Sequence, residues 1–179
     1  AELRGRVGGG GAELAAACDM RFGDAETFQW NQMEVPLGIL PGAGGTQRIP
    51  RLIGLGRAME VILGAQDIDG MTAERWGFLN RLIEGESLSL HVDRLAKRIA
   101  SFPPAAVREA KRAIRATVDR NLEDGLRYES YLFQVLLRDV DARPAMQQYL
   151  DAGGQTHDVE MRVGEVMGEL FRSEGPSKN

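Results

Sequence analysis

The sequence predicts a mixed α/β fold up to about residue 84, followed by a region of helices only. Three observations predict it. Two glycine-rich stretches, Gly8–Gly11 and Pro41–Arg48, bracket short segments in which apolar and polar residues roughly alternate. From Gly45 onward the apolar residues recur at helical spacing. After Glu84 every periodic segment is amphipathic and helical, broken at Pro103-Pro104 and across 139–144.

Taken in order, Leu3 to Val7 ends as a strand, and the four glycines make a turn that side chains would resist. Glu13 to Cys18 reads as a short helix so apolar that it should be buried on every side. Asp19–Phe22 and Thr27–Trp30 are expected as short strands. Val35 to Leu40 is a turn and an extended stretch broken by Pro36, Gly38 and Pro41. Ile49, Leu52 and Ile53 share one helical face, and Ala58, Val61, Ile62 and Leu63 form the next stripe. Asp69 or Thr72 caps a short helix that Gly77 ends, and Phe78–Ile83 is a last strand. Helices follow over Leu88–Ser101, Ala105–Val118, Leu122–Val140 and Ala145–Leu150, with a further stripe over Val159–Phe171. The end, Ser173–Asn179, reads as disordered.

Composition narrows the function. With 43% hydrophobic and 27% charged residues over 179 positions, the chain has an ordinary globular balance. Its net charge of −4 is dispersed, which gives nucleic acid no basic footprint. No apolar run approaches the roughly 20 residues of a membrane span. The single cysteine, Cys18, forbids an internal disulfide, and a reducing, cytoplasmic setting is expected. The chain opens at Ala1 without methionine and reaches its glycine run by residue 8, so an absent N-terminal part is expected.

The chemistry gathers around two carboxylates. Glycines ahead of a helix leave outward amides that can hold a phosphate or a developing oxyanion, or merely make a tight turn. No Gly-Lys-Ser/Thr follows either run, and the spacing at Gly54 and Gly56 lacks a dinucleotide fingerprint. His91 and His157 with one cysteine make no credible metal site. Glu13 is placed as a first-turn helix residue, a position the helix dipole favours without any chemistry. Glu34 lies among Met33, Val35 and Leu37, which predict a mostly buried loop, and a buried carboxylate must be paired, protonated or functional. Two such groups suit general acid–base work beside a carbonyl. Cys18, Trp30 and Trp76 read as packing.

The string Gly8-Gly9-Gly10-Gly11-Ala12-Glu13-Leu14-Ala15 with Cys18-Asp19, then Glu34 with Leu37-Gly38, then Pro41 to Arg48, resembles the enoyl-CoA hydratase/isomerase (crotonase) family. Gly54, Ala58, Met59, Gly64, Ala73, Gly77 and Asn80-Arg81 continue the likeness. The resemblance implies the second part of a ββα spiral over 1–84, carrying the site, and a helical trimerisation region over 85–179. It implies that the Gly10 amide donates to the thioester oxygen and that Glu13 and Glu34 hold the water, Glu34 serving the α-carbon. Gly9, Leu37 and Gly38 would line the substrate. It implies an acyl-CoA thioester as partner in fatty acid metabolism, no cofactor or metal, and a homo-oligomer, either a trimer or a dimer of trimers. Hydration of a 2-enoyl-CoA is the expected reaction, since members lacking the first glutamate tend to other enolate chemistry. Double-bond isomerisation and a non-catalytic scaffold stay open, the latter marked by a Glu34 turned away from Gly10 and Glu13. The loop lengths on either side of Phe28 depart from the family pattern, and Met33 stands where proline is common. The family's preceding half supplies a second oxyanion donor and most of the CoA pocket, so this chain alone is expected to be weak or inactive. The second glycine stretch is expected to frame the site as a helix entry.

Overall fold

The computed structural model describes residues 1–171, which leaves the expectation for Ser173–Asn179 outside the described residues. The chain divides into two compact units, the first Ala1–Asp93 and the second beginning at Arg94.

The first unit is built from a repeated strand–strand–helix unit. β1 (Glu2–Leu3) and β2 (Arg6–Gly8) are separated by Arg4-Gly5, where Gly5 takes φ 62°. The single strand expected over Leu3–Val7 is therefore two, and they enter different sheets. α1 (Gly10–Ala17) follows, starting at the glycines themselves rather than at Glu13. The second repeat is β3 (Phe22–Asp24), β4 (Gln29–Asn31), a 3-10 turn over Val35–Leu37, then α2 (Gly45–Ile53) and α3 (Leu55–Gly64). β5 (Ile68–Asp69), α4 (Gly70–Trp76) and β6 (Arg81–Ile83) complete the sheets. One sheet has the order β1-β3-β6, all parallel, with Leu3 opposite Gly23 and Gly23 opposite Leu82. The other has the order β2-β4-β5, with Val7 opposite Trp30 in parallel and Trp30 opposite Ile68 antiparallel.

Side chains stitch the two repeats where they bend between sheets. Asp24 Oδ1 accepts from the amides of Glu26 (2.9 Å) and Thr27 (3.3 Å), and its Oδ2 accepts from Arg4 Nη1 (2.8 Å). The Gly5 amide donates to Thr27 Oγ1 (3.1 Å), and the Gln29 amide returns to Gly5 O (3.0 Å). Beneath them Trp30 stacks on Phe78, centroids 3.9 Å apart and planes 7° from parallel, within a core of Val7, Ala12, Ile49, Val61 and Ala73. Asp69 is the cap of α4, accepting from the Thr72 amide at 2.7 Å. Arg21 is buried against backbone carbonyls. It donates to the carbonyls of Phe78, Cys18 and Ala15, and desolvation pulls its guanidinium below its ordinary value.

α1 is not buried on every side: Ala12, Glu13, Ala15 and Ala16 face the core, while Leu14 is 71% exposed. Cys18 is half-buried, its thiol on Leu14 O. α5 (Gly85–Ser101) begins in the first unit, where Leu88 is buried and His91 meets Phe22 edge-on, centroids 5.1 Å apart.

The second unit is helical. α6 (Pro104–Ala116) starts on Pro103-Pro104, and α7 (Leu122–Leu136) is capped by Asn121, whose Oδ1 accepts from the Asp124 amide at 2.9 Å. Buried Glu109 lies between Arg108 and Arg112, each at 2.8 Å. α8 (Ala142–Asp151) follows. The tail is two helices rather than one stripe, α9 (His157–Met161) and α10 (Val163–Leu170), parted at Arg162, where φ is −122°. Arg98 donates to Gly164 O (2.7 Å) and Phe102 meets Phe171 edge-on, which ties the end of α5 to α10. No helix among the described residues is long and apolar enough to cross a membrane.

Candidate active site

The site starts where β2 runs into α1. A Cβ at Gly8 would fall 2.5 Å from Asn31 Oδ1, so a larger residue there would have to displace the Asn31 side chain. Gly9, with φ 53° and ψ −129°, adopts a backbone that L-residues avoid. Its amide donates to Asn31 O (3.3 Å), and its carbonyl accepts from Ala12 (3.0 Å) and Glu13 (3.1 Å). The chain is thereby turned out of the sheet and into the helix in one residue. The amides of Gly10 and Gly11 stand in the first turn of α1, where a helix has no acceptor of its own. Neither takes one elsewhere among the described residues, and a Cβ on either would meet nothing within 4 Å. Unpaired helix-start amides suit an oxygen that gains negative charge.

Glu13 comes one turn later and is 4% exposed. Its Oε1 accepts two backbone hydrogen bonds, from Ala43 (2.8 Å) and Gly45 (2.7 Å). The second glycine stretch therefore touches the first carboxylate directly, where a framing role alone had been expected. Ala43 is held in turn by Arg48, whose Nη1 donates to its carbonyl at 2.8 Å.

Glu34 is 8% exposed and opens the 3-10 turn, its carbonyl accepting from Leu37 (3.0 Å) and Ile39 (3.2 Å). The burial arises otherwise than the apolar neighbours suggested. Met33 is 48% and Leu37 64% exposed, so the carboxylate points inward while the flanking side chains point out. Glu34 Oε1 faces the glycine turn, 3.4 Å from where a Cβ on Gly9 would stand, and Met33 Cγ lies 3.6 Å from the same point. Behind it is Gln32, fully buried. With its amide nitrogen turned to the carboxylate, Gln32 donates to Glu34 Oε2 at 3.1 Å and Oε1 at 3.3 Å. Gly38 closes the turn at φ 79°, its amide on Val35 O.

The structure thus brings Gly9, Gly10, Glu13 and Glu34 around the start of α1. Leu37 is the last residue of the 3-10 turn and Gly38 closes it. Two contributors escaped the sequence reading: Gln32 and the amides of Ala43 and Gly45. A glutamine two residues before a carboxylate in an apolar stretch was the available signal for the first. A Gly-Ala-Gly-Gly run whose helix-start amides need an acceptor was the signal for the second. Among the described residues no group of three or more His, Cys, Asp or Glu is placed to hold a metal.

The sequence profile of the enoyl-CoA hydratase/isomerase family matches residues 1–157. A probable enoyl-CoA hydratase of Rhizobium meliloti is 37% identical over 150 residues, covering 84% of this chain and 58% of that protein. The short-chain-enoyl-CoA hydratase of Clostridioides difficile is 40% identical over 140 residues, covering 78% of this chain and 90% of that one. Among solved structures, the enoyl-CoA hydratase of Bacillus anthracis superposes with a TM-score of 0.78 at 36% identity, covering 84% of this chain and 57% of that one. The chain spans 58% of the Rhizobium relative, so it carries part of what that protein carries. The repeated strand–strand–helix unit, its following helices and these matches together place the chain in the enoyl-CoA hydratase/isomerase family, with the crotonase fold.

Proposed function

We propose that the whole protein hydrates a 2-enoyl-CoA thioester to the 3-hydroxyacyl-CoA. The observation that carries this reading is the pair of buried carboxylates, Glu13 and Glu34, at a helix start whose first amides are unpaired. In the reaction the thioester oxygen lies on the Gly10 amide and water lies between the carboxylates. As the water oxygen bonds C3, the C2–C3 π pair moves toward the carbonyl and charge builds on the oxygen that Gly10 holds. Glu13 takes the proton that water loses, and Glu34 places a proton on C2. Exchange with solvent after release restores both groups. The names of the relatives agree with this chemistry. Gly9, Leu37 and Gly38 are assigned to the substrate's surroundings.

The test is an assay of the whole protein on crotonyl-CoA, following loss of the conjugated enoyl thioester. Glu13→Gln and Glu34→Gln should each lower kcat by at least about 100-fold, the scale of losing a positioned acid or base. Hydration that survives Glu13→Gln would overturn the reading, and double-bond isomerisation surviving it would point to the isomerase chemistry of the same family.

The helical second unit is assigned to self-association, supported by the exposure of Ile114, Leu122 and Val140. Light scattering of the whole protein should give a trimer or a dimer of trimers, and a monomer at micromolar concentration would remove this assignment.

A further inference from the structure

We propose that the second glycine stretch is a clamp for Glu13 and that Gly45 is its positioning residue. The inference rests on the hydratase reading of Glu13 and adds how that group is aimed. Both amides of the clamp, Ala43 and Gly45, donate to the same oxygen, Oε1. Oε2 takes no hydrogen bond from a described residue, so the clamp spends one carboxylate oxygen and leaves the other for water. The same bonds give α2 a cap from another helix. Gly44, its N-cap, has no side chain to offer, and Gly45 is its first residue. A carboxylate from α1 therefore supplies what Ser or Asp supplies elsewhere.

The fit explains the glycines. Gly44 stands at φ 102°, a conformation costly for other residues. A Cβ on Gly45 would fall 2.9 Å from Pro41 Cβ, 3.0 Å from Glu13 Oε1 and 3.1 Å from Glu13 Cγ. Pro41 is fully buried and cannot withdraw. The methyl of an alanine would therefore displace the start of α2, and with it the Gly45 amide that holds Glu13. The Gly10 amide, where the thioester oxygen is assigned, is not among the atoms this methyl would meet.

The experiment is a double-mutant cycle in the whole protein with Glu13→Gln and Gly45→Ala, read in kcat and KM on crotonyl-CoA. Gly45→Ala should lower kcat about 100-fold, as misplacement of a reacting group by about 1 Å does, with KM unchanged. The double variant should be no slower than Glu13→Gln alone, because the clamp acts only through Glu13. Losses that multiply, or a raised KM with kcat intact, would overturn the clamp while leaving the hydratase reading in place. Hydration unaffected by Glu13→Gln would instead sink that reading. Thermal melting supplies the arm that does not need Gly45→Ala to fold. The carbonyl of a glutamine at position 13 can still accept both amides, whereas Glu13→Ala strands them. Glu13→Gln should melt near the parent and Glu13→Ala several degrees lower. Equal melting of the two variants would refute the clamp.

Discussion

Glu34 Oε1 stands 3.4 Å from the point where Gly9 would carry a Cβ, an ordinary contact distance, so the carboxylate packs directly on the glycine turn. What requires glycine at position 9 is the backbone, at φ 53° and ψ −129°. Gly9→Ala should strain that turn and shift the carboxylate packed on it. The strained backbone costs about 1–3 kcal/mol. The methyl would sit against Glu34 and against Met33, whose flexible side chain can move aside more readily than the carboxylate. We expect a lower melting temperature and a fall in kcat on crotonyl-CoA of at least about tenfold. A variant that melts lower but keeps the parent kcat would show that the glycine serves the backbone alone.

Gln32 is the second lever on the same group. It is fully buried and its amide reaches both oxygens of Glu34. Gln32→Leu keeps the volume and removes the donor, which leaves Glu34 free to change rotamer. The expected result is a drop in kcat of about tenfold with KM held within about twofold, the mark of a group that acts through another. A change confined to KM would place Gln32 against the substrate instead.

What was legible in the sequence follows from the length over which each signal repeats. Helices with several turns of pattern, such as α6 and α7, were located to within a few residues. The strands run only two or three residues, too short for alternation to register, and β3 and β4 each lie further along the chain than Asp19–Phe22 and Thr27–Trp30 suggested. β5 went unseen because two residues carry no period. Glu13, Glu34 and the glycines could be named because residue type and order are local facts. The acceptors of the Ala43 and Gly45 amides could not, since Glu13 lies 30 and 32 positions away from them. Exposure misled in one direction: Leu14 is 71% and Met33 48% exposed although both were expected in buried stretches, and only the path of the backbone decides which way each points.

Asp24 gives a pH dependence with a definite sign. The Glu26 amide above all, then that of Thr27 and the Arg4 guanidinium, hold its carboxyl below the ordinary value against the opposing effect of desolvation. In the unfolded chain the group binds protons near its ordinary pKa of about 3.9. Between the two values the unfolded state holds more protons, so this stabilisation is complete above the ordinary pKa and is lost as pH falls through the folded one. Asp24→Asn lacks it. The melting temperatures of parent and Asp24→Asn should differ by a constant amount from about pH 7 to 5 and converge below about pH 4. A gap of equal size at pH 3 would mean that the corner between β3 and β4 relies on packing and not on the charge.

The stack of Trp30 on Phe78 sets the last expectation, because it couples a large gain to a small defect. Trp30 is fully buried, paired through β4 to both β2 and β5, and its ring lies 3.9 Å from that of Phe78. Yet its Nε1 is buried with no acceptor among the described residues. An unmade bond of that kind costs about 1–3 kcal/mol. Trp30→Ala removes the ring and opens a cavity, and should destabilise by about 3–5 kcal/mol. Trp30→Phe loses part of the ring but also abolishes the stranded donor, so the two effects oppose each other and the net loss should stay below about 2 kcal/mol. Urea unfolding of the three proteins measures both differences. If Trp30→Phe costs as much as Trp30→Ala, the indole nitrogen is partnered in solution, and the stack is worth less than the hydrogen bond it hides.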